Sequence, residues 1–370
     1  MKILHACSYF STSPLFQQLF DRQIVDGHDI DVYVPISKQY PEDRIASNAP
    51  YAQTVRVFNQ FNRYFYYHKQ RKIFRDLESR YNTSDYNLIH AHSLFTNGYM
   101  AYQIHKKYGT PYVVAVRSNE VEDFFKKAIW VRPMGIKILQ NASQIIFISQ
   151  NTFEKTFNKY IPENIKAELL AKTQVIPNGI DQYWHDNAYK HRSASTNSLL
   201  KIVSTAKIQK GKNLLDLADY VASYNQHVAP AELHVIGPNW DQAVLDQLVE
   251  KPGVTYHGPM DKSQLVDFYR QADIFALISS PETFGLVYVE AMSQSLPVIY
   301  TKGEGFDGFF TDKEVGVSVD RHDNKAFTEA VDFIRDHYQT ISTRALSESK
   351  KFQWDDIHQK YLDIYQDILK

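Results

Sequence analysis

Apolar residues fall in short runs along the whole chain, separated by longer stretches of mixed polarity. Short apolar runs bounded by turn formers predict buried strands, and the mixed stretches predict helices covering a parallel sheet on both faces. In the first half the strands are expected at 2–8, 30–35, 87–92, 112–117, 144–148 and 174–176, and the helices at 15–25, 62–80, 98–107 and 135–141. Turn formers such as Asp26-Gly27-His28 and Tyr108-Gly109-Thr110-Pro111 close a helix and open the next strand. A second alternating series places strands at 201–206, 232–236, 254–257, 274–278, 297–301 and 315–319. No repeat of 20 to 50 residues is visible, so the pattern predicts two separate α/β domains and not a solenoid.

Length agrees, since 370 residues exceed the usual single-domain size. Val175-Ile176-Pro177-Asn178-Gly179 closes the first series, and the polar stretch containing HRSASTNS reads as a linker. The expected division is a first domain at 1–182, a linker at 183–199, a second domain at 200–350 and a C-terminal helix at 351–370. Ile357, Tyr361, Ile364 and Ile368 give that helix one apolar stripe, which packs on its own domain or back towards the first.

Hydrophobic residues at 44% and charged residues at 22% exclude a disordered or collagenous chain. The single cysteine, Cys7, excludes an intrachain disulfide and a cysteine-cluster zinc site, and it suits a reducing compartment. MKILHACSYF lacks the long apolar stretch of a signal peptide, and no window has the roughly 18–20 apolar residues of a spanning helix. The expectation is a cytoplasmic protein whose membrane contact, if any, is peripheral. The net charge of −1 hides two unlike parts. Up to Ile180 there are 22 basic and 15 acidic residues, and beyond it 19 and 27, a balance of +7 against −8. Such asymmetry suggests that the first part meets an anionic partner.

The segment Ser279-Ser280-Pro281-Glu282-Thr283-Phe284-Gly285-Leu286 follows an apolar strand and leads through Gly285 into a helix that carries Glu290. A strand end opening onto a helix N-terminus presents free amides and a positive dipole end, which suits a diphosphate. For Glu282 and Glu290 to line one cleft, Glu282 has to lie on the loop.

This segment resembles the E-x7-E signature of the retaining GT-B glycosyltransferases of family 4, and the likeness continues through the flanking QADIFAL and AMSQSLPV. Gly27-His28-Asp29-Ile30, NLIHAH at 87–92 and VIPNGID at 175–181 are similar to further family landmarks in the expected order. The resemblance implies two Rossmann-like domains with parallel sheets facing across an interdomain cleft. It implies retention of configuration and a nucleotide-sugar co-substrate, such as a UDP-sugar, with no cofactor. It implies that Glu290 binds the donor ribose, that Glu282 lies against the donor sugar, and that the Phe284, Gly285 and Leu286 amides meet sugar or diphosphate. Lys207 stands at the family's arginine position, with Lys212 five residues on and Lys210 as an alternative second cation. Two cations there would stabilise the leaving diphosphate. A solvated lysine run is the competing reading.

The first domain departs from the family. Val114-Ala115-Val116-Arg117-Ser118-Asn119-Glu120-Val121 is similar to a VRNTDV-type branch and puts Arg117 where a histidine is usual. Arg117, with Asn119, is assigned to the acceptor or sugar side, where an arginine holds a phosphate or an acidic sugar. A salt bridge to Glu120 or Glu122 is the alternative. Phe10-Ser11-Thr12-Ser13-Pro14 replaces the family's glycine-rich loop. His90 and His92 share one strand face, but with no third ligand in register no metal is expected. Asp29-Ile30-Asp31 matches a metal-binding D-x-D in letters only.

Residues 56–80 carry Arg56, Arg63, Lys69, Arg71, Lys72, Arg75 and Arg80 against two acids, interleaved with Phe61, Tyr64 and Phe65. Tyr67, Phe74, Leu77 and Tyr81 are expected to form the helix's buried stripe. Lys126, Lys127, Arg132 and Lys137 around Trp130 make a second basic segment. A basic helix with aromatics suits an anionic membrane surface or an anionic glycan. No nucleic-acid module is present, so nucleic acid is not expected as a partner. The acceptor class is a glycan or lipid-linked glycan. The rival readings are a catalytically silent GT-B partner subunit and a GT-B sugar epimerase.

Overall fold

The computed structural model describes residues 1–42, 45, 49–190, 192 and 199–370. Chain contacts divide them into two compact units, Met1–Asn178 with Trp354–Lys370, and Gly179–Gln353.

The first unit holds a seven-stranded, all-parallel sheet of β1 (Lys2–Ala6), β2 (Asp29–Ser37), β3 (Ala52–Phe58), β4 (Leu88–Ala91), β5 (Tyr112–Val116), β6 (Gln144–Phe147) and β7 (Thr173–Val175). The strand order is β3-β2-β1-β4-β5-β6-β7. The second unit holds a six-stranded parallel sheet of β8 (Leu200–Thr205), β9 (Ala231–Ile236), β10 (Val254–Tyr256), β11 (Ile274–Leu277), β12 (Val298–Thr301) and β13 (Gly316–Val319), ordered β10-β9-β8-β11-β12-β13. Both orders begin 3-2-1-4-5-6, the doubly wound arrangement, so each sheet reverses direction beside its first strand. These switch points, β1/β4 and β8/β11, leave a crevice at the carboxyl ends of the strands. The central strands are buried on both faces, as a parallel sheet sandwiched by helices requires.

Two boundaries differ from expectation. The stretch read as a linker belongs to the second unit: Gln182–Asp186 is a helix whose Trp184 is buried and stacks on Tyr269 at 5.7 Å. Arg192 is also buried there, donating to the carbonyls of Gln294, Ala272 and Tyr269 at 3.1, 2.5 and 2.6 Å. Residues 191 and 193–198 lie outside the described residues. The helix Trp354–Leu369 is built into the first unit, with Trp354, Ile357, Tyr361 and Tyr365 in a core shared with Ile3, Phe20 and Val32. Arg22 pairs with Asp355 and His358 with Asp26, both at 2.6 Å. Those seventeen residues, 354–370, carry two basic and four acidic side chains, which moves the charge balance to +5 and −6.

The basic helix starts at Tyr66, because Gln60–Tyr64 winds into a tighter turn capped reciprocally by Asn59 and Asn62. Its buried stripe is Tyr66, Gln70, Ile73 and Leu77, not the one through Tyr67, which is exposed. Arg56 lies on β3, an edge strand absent from the sequence-based expectation.

Candidate active site

In the second unit the loops after β8 and β11 meet at the switch point. Ser280 N donates to Gly211 O at 2.9 Å and Asn213 Nδ2 to Ile278 O at 2.8 Å, so the lysine loop and the glutamate loop form one body. Lys212 Nζ lies 2.7 Å from Glu282 Oε2, which also accepts from Ser279 Oγ at 2.8 Å. Glu282 Oε1 accepts from the Thr283 amide at 3.0 Å. With both oxygens hydrogen-bonded and a cation alongside, this carboxylate is held in one orientation.

Glu282 does lie on the loop, since the helix Leu286–Ser293 begins four residues later. Gly285 makes the turn with φ +83°, and a Cβ there would lie 2.4 Å from the Tyr288 ring. Only glycine fits that conformation and that space. Among the described residues, the amides of Phe284, Gly285 and Leu286 donate to no backbone acceptor, and they sit at the positive end of the helix. The Phe284 side chain is buried against Phe309 and Phe352.

Glu290 sits on the second turn of this helix, and its carboxylate accepts no hydrogen bond among the described residues. Burial pushes its pKa up to about 7, an effect opposed by Lys262 and reinforced by Asp181. Those two form an ion pair with each other. Lys207 is exposed and lies over the Trp240 ring at 3.8 Å, and Lys210 is exposed on the turn before Lys212. Of the three lysines, Lys212 is the one placed on Glu282.

Sequence reasoning missed Glu304. Its carboxylate accepts from Ser280 Oγ at 2.7 Å and from the Glu282 amide at 2.8 Å, and Gly305 N donates to Glu282 O at 3.0 Å. Glu304 follows β12, the sheet neighbour of β11, so strand-end position was the available signal.

The first unit's switch point is built differently. Arg117 leaves β5 buried, its Nε donating to His92 O at 2.8 Å and its guanidinium 4.9 Å from the ring centres of both Tyr9 and Phe16. Neither expected salt bridge forms. Glu120 accepts from the Leu94 and Phe95 amides at 2.6 and 2.7 Å, and Glu122 pairs with Lys126. Asn119 lies in the turn after Arg117, and its side chain is outside the described set, as is that of Arg63. Asp31 accepts from Tyr86 Oη at 2.7 Å, so that half of the D-x-D letters serves a structural hydrogen bond.

The reason for expecting no metal, the lack of a third ligand in register, does not hold. His5 on β1 is the register partner of His90 on β4, and ring nitrogens of His5, His90 and His92 lie within 4.8 Å of one another. Burial lowers the pKa of all three, so they are neutral at pH 7. Four of their nitrogens are hydrogen-bonded, His5 Nε2 to Gln23 Oε1 at 2.7 Å, His5 Nδ1 to His92 Nε2 at 3.1 Å, and His90 Nδ1 to Tyr365 Oη at 2.5 Å, while His90 Nε2 is buried without a partner. The charge of Arg117 beside His90 and His92 opposes a further cation.

Lys69 is partly buried over the Phe58 ring at 4.4 Å. Arg71, Lys72 and Arg75 enter no ion pair among the described residues. Phe61, Tyr64, Phe65, Ile129 and Trp130 are exposed, and Tyr66 touches Phe124 at 6.0 Å, which brings the two basic-aromatic segments together. Lys126 and Lys127 are neutralised by Glu122 and Asp123 on their own turns, whereas Arg132 and Lys137 enter no ion pair among the described residues.

Two Rossmann-like units, one with an acidic and basic loop pair at its switch point, define the GT-B fold. Two family models match the chain, Glycosyltransferase Family 4 over residues 16–182 and Glycosyl transferases group 1 over residues 187–349. The chain belongs with the GT-B glycosyltransferases. It is 23% identical over 278 residues to the alpha-monoglucosyldiacylglycerol synthase of Acholeplasma laidlawii, covering 70% of this chain and 68% of that protein. It is 30% identical over 132 residues to the D-inositol 3-phosphate glycosyltransferase of Xylanimonas cellulosilytica, covering 35% of this chain and 32% of that protein. Among solved structures it is similar in fold to the sucrose-phosphate synthase of Thermosynechococcus elongatus, with a TM-score of 0.76, 17% identity and coverage of 100% and 99% of the two chains. It is also similar to HepE of Anabaena in complex with UDP, with a TM-score of 0.69, 16% identity and coverage of 98% and 99%. Among the described residues, no helix is long and apolar enough to cross a membrane.

Proposed function

We propose that the chain transfers a sugar from a UDP-sugar to a glycan or lipid-linked acceptor, with retention of configuration. The observation that carries this reading is the second unit's switch point, where a fixed Glu282–Lys212 pair adjoins the unpartnered N-terminal amides of the helix that carries Glu290. Glu290 accepts the ribose hydroxyls, the amides receive the diphosphate or sugar, and Lys212 with Lys207 or Lys210 offsets the charge that grows on the leaving diphosphate. Glu282 already accepts from three donors, which suits a positioning and electrostatic role better than a free nucleophile. HepE, of like fold, binds UDP and UDP-glucose, which favours uracil as the donor base.

Thermal-shift titration with UDP, GDP and ADP tests the donor assignment, because a ligand stabilises in proportion to the logarithm of its concentration over Kd. UDP should raise the melting temperature and Glu290→Ala should abolish the rise. No response to any of the three, together with no hydrolysis of nucleotide sugars, would leave the silent-partner reading in its place.

A second proposal concerns partners: the exposed Phe61, Tyr64, Phe65 and Trp130 with Arg71, Lys72 and Arg75 rest the first unit on an anionic lipid surface. Co-sedimentation with vesicles should rise with anionic lipid and fall with salt and with Arg71→Glu and Lys72→Glu. Binding indifferent to all of these rejects it.

A further inference from the structure

The two departures of the first unit from its family, an arginine at position 117 and an aromatic loop in place of glycines, are parts of one construction. Tyr9 and Phe16 flank the replaced loop, and each presents its ring to the Arg117 guanidinium with the ring centre at 4.9 Å. The residue is 6% exposed. Its Nε is committed to His92 O. Among the described residues, no acceptor lies within hydrogen-bond reach of Nη1 or Nη2, and no carboxylate forms an ion pair with this cation. The nearest acid in sequence, Glu120, points its oxygens at the Leu94 and Phe95 amides.

A guanidinium cannot escape burial by losing its proton, and a buried cation without a hydrogen-bonded anion is strongly unfavourable. Stacking on two rings offsets part of this and fixes the plane of the fork. With Nε committed and both rings against the guanidinium, Nη1 and Nη2 remain as a pair of donors. Such a pair fits two oxygens of one carboxylate or phosphate. The setting agrees: Arg117 stands at the carboxyl end of β5, next to the β1/β4 crevice where ligands of doubly wound sheets bind. Polar atoms in the adjoining loops are also buried without partners, namely Oδ1 and Nδ2 of Asn97 and Oγ of Ser118.

We propose that Arg117 recognises an oxyanion on the sugar substrate, and that Tyr9 and Phe16 hold its fork in place for that contact. The proposal rests on the glycosyltransferase reading only in taking the anion to be part of a sugar substrate. The oxyanion has two chemical sources, a uronate carboxylate or a phosphate on the acceptor sugar.

Isothermal titration of the full chain separates these. One arm compares glucose and glucuronate. The other titrates inorganic phosphate and glucose 1-phosphate, with and without saturating UDP. A uronate source gives glucuronate an affinity about tenfold or more above that of glucose. A phosphate source gives phosphate binding in the second arm. In either case Arg117→Gln should remove the effect and leave UDP affinity unchanged, while Arg117→Lys, which keeps the charge and loses the fork, should retain only part of it. Phe16→Leu should weaken it by about two- to fivefold. Normal UDP binding with neither effect in the wild-type chain, or an effect that survives both Arg117 variants, overturns the proposal. Failure of UDP itself to bind counts against the donor reading, and the phosphate arm still decides on Arg117.

Discussion

The two switch points occupy equivalent places in two sheets of the same strand order, and they are furnished in opposite ways. At β8/β11 the loops are polar and short-range: Lys212, Ser279, Glu282 and Glu304 hold one another, and a glycine turns the chain onto a helix. At β1/β4 the furniture is aromatic and long-range: three neutral histidines, Gln23, Tyr9, Phe16 and a buried arginine, tied through Tyr365 to the end of the chain. The difference teaches where each function can vary. The nucleotide diphosphate proposed for the second unit is a constant demand, which a local motif could meet. The other site is assembled from four distant stretches, any of which can change what is recognised.

The sharpest break in the comparison is expected from the C-terminal helix. Trp354→Ala and Ile357→Ala each empty part of the first unit's core, and each should cost about 3 kcal/mol or more there. Calorimetry should show the first unit's transition moving down while the transition shifted by UDP stays in place. Equal movement of both would mean that the units are not independent in stability. Next in size, Gly285→Val puts a branched side chain at φ +83° and against Tyr288, for about 2–4 kcal/mol of strain confined to the second unit. Donor affinity should fall more than tenfold. Removing the cation with Lys212→Met should lower turnover by about a hundredfold, whereas Lys210→Met should cost less than threefold. Similar losses from both would move the second cation to a shared lysine cluster.

The smallest effect is a pH dependence. Burial raises the Glu290 pKa from 4.5 to about 7, so the folded chain binds a proton more tightly than the unfolded one. Stability from this group is therefore full below about pH 4.5 and is lost as pH rises towards 7. Glu290→Gln removes that loss. It should melt a few degrees higher than wild type at pH 8 and equally at pH 4.5, while losing UDP binding at both. A higher melting point at pH 4.5 alone would reverse the sign and reject the account.

The elements with strong local signals were legible. Eleven of the expected strands carry uninterrupted apolar runs or clear turns and appear within about two residues of their expected ends, as does the short β7. The edge strand β3 was not, because AQTVRVF is only half covered and its arginine merged with the basic run that follows. The Glu282 loop was legible because its residues are neighbours in sequence. Glu304 was not, since it reaches the loop from the next strand. Tyr9, Phe16 and Arg117 come together only through sheet order, and His5 meets His90 only through register. Neither order nor register is written in a local pattern. The C-terminal helix showed its apolar stripe plainly, but a stripe does not name the surface it covers.

That helix sets a schedule for biosynthesis. A ribosome finishes the β-strands of the first unit early, yet Trp354, Ile357 and Tyr365, which complete its core, are made only after the whole of the second unit. Until they emerge, the nascent first unit carries an open apolar face and lacks the Tyr365 partner of His90, so it cannot mature before the second unit has been synthesised.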